Sequence, residues 1–176
     1  MQVDINNVTP EQALSVLKIL IAEDNSLAKR IQQIIHQLIG NIDIEEIAEL
    51  IYSALDFIEV EELWDRTGPS SFGYETPEDV VIEMFEETLN PFIKQLQQYH
   101  ASSMFNEEKS YCMGILWGLY RFDKEVDSKF REWAEDVAGI MFNNILEEWQ
   151  QRCQNLEDAA EMIKFIQINC PDWANN

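Results

Sequence analysis

Ten consecutive residues, Tyr111 to Tyr120, read YCMGILWGLY and carry no charged side chain. A helix that is apolar on every face must be covered on every face, so this stretch demands a fold in which other elements pack around it. It has about half the length that a bilayer span needs, which makes it a buried element and not a membrane anchor. The chain has 176 residues, 46% of them apolar, enough to build one domain with a sizeable core. The expectation is a single domain over residues 1–176, with a central helix over about 106–122 capped by Asn106.

The flanking segments read as amphipathic helices with clear start signals. Thr9-Pro10-Glu11-Gln12 supplies an N-cap, a proline at the first helical position and a glutamine placed for a capping box. Ala13, Val16, Leu17, Leu20 and Ile21 follow at helical spacing. A second helix is expected from Ser26 to Gly40 on Leu27, Ile31, Ile34, Ile35 and Leu38, forming a helical hairpin with the first. Asp43 caps a third on Ile44, Ile47, Ala48, Ile51, Leu55 and Ile58, with a further turn or two over 59–66. Thr76-Pro77-Glu78-Asp79 repeats the opening grammar, and Val80, Val81, Met84, Phe85, Leu89, Phe92, Ile93 and Leu96 form that helix's core face, with Pro91 expected to kink it. One helix from about Ser128 to Arg152, weakened at Gly139, and another from Asn155 to before Pro171 complete the chain. No useful length of sequence alternates as a strand does. The class is all-α: an irregular bundle of about seven helices built from helical hairpins.

Charge narrows the choice of partner. The formal net charge is −21, from 33 acids against 12 Lys and Arg. Phosphate backbones and anionic membrane surfaces are recognised by basic faces, so direct nucleic-acid binding and membrane association are both disfavoured. Between Ile31 and Ile93 fifteen acids face one base, Arg66. The N-terminal MQVDINNVTPEQ has neither a basic nor an apolar leader region, so a cytoplasmic setting is expected. Cys112, Cys153 and Cys170 form no CxxC and are read as small buried hydrophobes.

Motifs for chemistry are weak. His36 and His100 have Gln33 and Gln97 three residues earlier, so neither completes the Glu-x-x-His of a di-iron bundle, and both are read as solvent-facing. Asp123-Lys-Glu125-Val-Asp127-Ser resembles a calcium loop only until Ser128 and Ala134, where glycine and glutamate are needed; it reads as a charged connection. Gly114 and Gly118 form GxxxG, which in a helical domain admits a close neighbour more readily than a second copy, although a homodimer stays open. No catalytic residue, metal site or cofactor is indicated. The exceptional stretch is the loop over 66–76, with Trp64, Asp65, Arg66 and Tyr74 as a candidate site. Its plainer reading is a hydrophobic plug of Trp64, Phe72 and Tyr74, with Arg66 pairing a nearby carboxylate.

The strings ALDFIEVEELWDRTG, GYETPEDVVIEMFEETLNPF and YCMGILWGLYRFDKE resemble segments of an uncharacterised all-helical family of prokaryotic hypothetical proteins, over roughly residues 45–150. The resemblance implies a helical fold in a prokaryotic cytoplasm and no activity. The residues themselves favour a non-catalytic interaction protein that meets a basic protein partner through the carboxylates of helices 43–65 and 77–90, chiefly Glu45, Glu46, Glu49, Glu83 and Glu87. The alternative is an enzyme or small-ligand binder with a pocket at residues 64–76, with or without a divalent ion.

Overall fold

The computed structural model describes residues 8–24, 26–31, 34, 42–70, 73–125 and 129–174. They fall into two compact units, Met1–Asn41 and Ile42–Asn176. The protein is all-α, and its packed helices form a bundle.

In the first unit, α1 spans Pro10–Glu23. The Thr9 hydroxyl accepts from the Gln12 amide at 3.3 Å while the Thr9 amide donates to Gln12 Oε1 at 3.1 Å, which completes the capping box. Its apolar stripe is not buried: Val16, Leu17, Leu20 and Ile21 all remain exposed. Residues 26–31 are also helical, whereas Ile35, Leu38 and the Gly40 stop lie outside the described residues.

The second unit begins with α2 (Ile44–Asp56), capped by Asp43 Oδ1, which accepts from the amides of Glu45 and Glu46. A single turn or two, α3 (Val60–Arg66), follows. The loop then contains a small hairpin, where no strand is expected from the sequence. Strands β1 (Gly68–Ser70) and β2 (Gly73–Glu75) pair antiparallel, with Pro69 opposite Tyr74. Three residues per strand are too few to show alternation, and Gly68 and Gly73 take positive φ angles of 127° and 144° that side chains disfavour.

Helix α4 (Pro77–Ala101) is capped by Thr76 and runs through Pro91 as one element. Helix α5 (Phe105–Glu125) is the central element, with twelve buried residues along it, so the expected core helix is present and longer than 106–122. It begins at Phe105 and not after Asn106, because Ser103, at φ 56°, turns the chain sharply out of α4. The single helix expected over 128–152 is two: α6 (Lys129–Trp133) and α7 (Val137–Arg152). The break lies at Ala134–Asp136 and not at Gly139. Tight bonds from Ala134 N to Arg131 O and from Val137 N to Ala134 O turn the chain there. The turn lets Phe130 stack on Phe85 while Phe142 meets Trp173 edge-on. Helix α8 (Leu156–Asn169), capped by Asn155, closes the unit.

Gly114 and Gly118 explain how α2 reaches α5. A Cβ at Gly114 would sit 2.5 Å from Ile47 Cβ, and one at Gly118 would sit 2.6 Å from Ile51 Cβ and 2.7 Å from the Ala48 carbonyl. GxxxG is therefore a seam within the chain, where missing side chains let two helix backbones approach. Cys112 and Cys170 are buried free thiols, and Cys153 is half-buried.

Candidate functional site

The proposed acidic residues divide by whether a cation already answers them. Glu45 and Glu46 occupy the first turn of α2, where carboxylates suit the helix dipole, and neither has an ion-pair partner among the described residues. Glu83 is exposed on α4 and likewise unpaired there. Glu49 differs. It accepts from Arg121 Nη1 at 2.9 Å, and that guanidinium also meets Glu125 and lies over the Tyr52 ring. Glu87 accepts from Arg66 Nη1 at 2.7 Å, and Arg66 Nη2 donates to Glu62 at 2.7 Å. The hydrogen bonds from Glu87 and then Glu62 hold the Arg66 pKa above its ordinary value. The one base of the acidic stretch is thus engaged by two acids of its own chain.

The loop residues do not converge. Trp64 packs edge-on against Trp133, ring centres 4.9 Å apart, yet stays 47% exposed. Tyr74 is 69% exposed on the hairpin, so it is no part of a plug. Asp65 is exposed, and Phe72 lies outside the described residues. Leu63, fully buried, is the residue that fastens α3 to the core. Among the described residues no three His, Cys, Asp or Glu side chains gather as a metal-ligand set, and no helix is long and apolar enough to cross a membrane.

Among the described residues, recesses lie elsewhere, two of them in succession along α4 and α7, and no described residue of 64–76 lines either. The first is an open groove of about 440 Å³. Leu89, Ile93, Met141 and Ile145 form its apolar lining, and Glu86, Glu87 and Glu148 bring carboxylates to it. Helical spacing creates this pattern: Glu86, Leu89, Asn90 and Ile93 follow at i, i+3, i+4 and i+7 on α4, while Met141, Asn144, Ile145 and Glu148 do the same on α7. Glu86 and Glu148 have no ion-pair partner among the described residues.

The second recess, about 270 Å³, sits where two helical hairpins turn. The end of α4 contributes His100, the start of α5 Phe105 and Glu108, the end of α7 Trp149 and Arg152, and the start of α8 Asp158. Helix termini account for the charges. Bases are favoured in last turns and acids in first turns, so a corner where two helices end and two begin collects both signs. The Glu108 side chain is 4% exposed, with Oε2 2.9 Å from His100 Nδ1 and Oε1 3.6 Å from Arg152 Nε. Asp158 accepts from Lys109 Nζ at 2.5 Å, and Lys109 also binds Glu161. Burial opposes the charge on Lys109, but these two carboxylates leave its pKa raised.

His100 is therefore not a chance solvent-facing histidine, and α5 is not purely apolar. Glu107, Glu108 and Asp123 are buried in it, and Asp123 is met by Lys124 at 3.1 Å and Arg131 at 3.7 Å. A signal for Glu108 existed in the sequence, since it lies on one stripe with Cys112, Ile115 and Leu119 at i+4, i+7 and i+11. Compared with protein-family models, curated proteins and solved structures, the chain matches none, so its functional reading rests on these residues.

Proposed function

We propose that the protein is a non-catalytic interaction protein that receives a basic, amphipathic segment of a protein partner in the groove between α4 and α7. The observation that carries this reading is an apolar floor bordered by Glu86 and Glu148, two carboxylates that nothing in the described chain neutralises. Leu89, Met141 and Ile145, themselves nearly buried, and the half-buried Ile93 floor a recess in which the apolar side chains of a helix face gain by leaving water. Glu86 and Glu148 offer charges whose natural complement is lysine or arginine on the same segment. Glu83, one turn before Glu87, extends the acidic side of α4, and the wider field of a −21 chain speeds encounter with a cation and repels acidic competitors. Glu45, Glu46 and Glu49 contribute to that field at longer range and not to the floor.

A synthetic helical peptide with one leucine face flanked by lysines tests the proposal by calorimetric titration at low and high salt. Binding should weaken steeply with salt, fall by roughly tenfold or more in a Glu86→Lys, Glu148→Lys double variant, and change little in a Glu45→Lys, Glu46→Lys variant. Salt-independent binding, or equal loss in both double variants, would exclude the groove as the docking site.

A further inference from the structure

The cavity at the α4–α5 and α7–α8 turns has an unmet requirement that the groove lacks. Glu108 Oε1 is buried and has no hydrogen-bond partner among the described residues, and the same holds for Nε and Nη2 of Arg152. The 3.6 Å between Oε1 and Nε is too long to count as a hydrogen bond. Buried polar groups are almost always satisfied, and each orphan costs free energy until something satisfies it. An acceptor and donors thus stand side by side without partners. Glu108 is fixed by His100, whereas Arg152, 24% exposed in its side chain, can turn toward an occupant.

Three further features describe that occupant. The volume, at about 30 Å³ per water, equals roughly nine waters, which suits a small ring and not a peptide. The walls are aromatic: Trp149 is almost wholly buried, and Phe105 meets His100 edge-on with centres 5.7 Å apart. Charge is already balanced, because Glu108 is answered by His100 and Arg152, and Asp158 by Lys109. No cation is left over for a phosphate or carboxylate, in a chain whose overall field repels anions.

The geometry points to a binding site for a small, flat, uncharged ligand whose edge carries an N–H beside a carbonyl oxygen, such as a free nucleobase or a pyridine carboxamide. Oε1 of Glu108 and the Arg152 donors are closed to solvent as they stand, so Arg152 turns first; this opens Oε1 to the ligand N–H and brings the guanidinium to its carbonyl, with the ring among Phe105, His100 and Trp149. This site is independent of the groove and of the partner proposed for it.

Matched probes test it: nicotinamide against nicotinate, and cytosine against cytidine monophosphate, at millimolar concentration. Nicotinamide or cytosine should raise the melting temperature and quench tryptophan emission, with the quench lost in Trp149→Phe. Their charged counterparts should do neither. Affinity measured by calorimetry should fall roughly tenfold or more in Glu108→Gln. Phe105→Ala removes a half-exposed wall that touches the His100 ring but forms no hydrogen bond or ion pair, so it should weaken binding while the unliganded protein loses little melting temperature. The inference is overturned if neither uncharged probe binds, if nicotinate or the monophosphate binds as well, or if Phe105→Ala leaves affinity unchanged.

Discussion

The groove and the cavity share two helices and treat charge in opposite ways. In the groove, Glu86 and Glu148 stand at an open apolar surface with no cation of the described chain beside them, and Glu87 is met by Arg66 from α3. In the cavity, the Glu108 side chain is 4% exposed and held between His100 and Arg152. The difference follows from solvent. An exposed carboxylate is stabilised by water and needs no partner, so it can be left for an external cation. A buried carboxylate without a cation is strongly destabilising, so the fold must supply one. Uncompensated charge at a surface thus favours recognition of something charged, and compensated charge in a cavity favours recognition of shape and hydrogen bonding.

The largest effect that would break this contrast is on stability. Glu108→Ala strands the Arg152 charge and should cost about 3–5 kcal/mol in urea unfolding, whereas Glu86→Gln or Glu148→Gln should change stability by no more than about 0.5 kcal/mol. Equal costs would mean that the two recesses do not differ as described.

Alkaline pH sharpens the contrast next. Three residues beyond Glu108, Tyr111 has its pKa pushed from 10.0 to about 12 by burial and then by Tyr99, and burial pushes Cys170 from 9.0 to about 12. Both groups are neutral when protonated, and both ionise at lower pH in the unfolded chain. The stability they lend is complete below about pH 9 and is lost as pH rises toward about 12. Urea midpoints should therefore fall across that interval, and Tyr111→Phe should flatten the fall.

The smallest effect concerns Arg66. Both partners of this pair are substantially exposed, so Arg66→Ala should cost only about 0–1 kcal/mol. It leaves Glu87 uncompensated beside the groove, so a lysine-flanked peptide should bind slightly tighter, as titration at low salt would read. Weaker binding would show that Arg66 orders the rim and does not merely offset it.

Local signals in the sequence carried much of the fold. Thr9 and Thr76 cap helices as their Thr-Pro-Glu context requires, the stripe Ala48, Ile51 and Leu55 is the buried face of α2, and Gly114 and Gly118 admit a neighbouring helix. Each of these depends on residues within a turn or two of one another. The break at Ala134–Asp136 was not legible, because it depends on Phe130 and Phe142 meeting different partners, Phe85 and Trp173. The acidic stretch was visible, but which of its members stay unpaired was not: Glu49 is answered by Arg121, 72 residues away. The cavity was hidden most completely. His100, Glu108, Arg152 and Asp158 come from four helix ends, and composition alone assigns such residues to solvent. Only the coincidence of Glu108 with an otherwise apolar stripe marked it in advance.

The most direct test of the proposed docking site is a two-dimensional methyl NMR titration of the protein with the lysine-flanked leucine peptide, following Leu89, Ile93, Met141 and Ile145. Docking in the groove requires shifts concentrated on those four residues, reversed by high salt, with the methyls of Ile44 and Ile47 beside Glu45 and Glu46 unmoved. Shifts centred on α2, or no methyl shifts while the peptide binds, would contradict it.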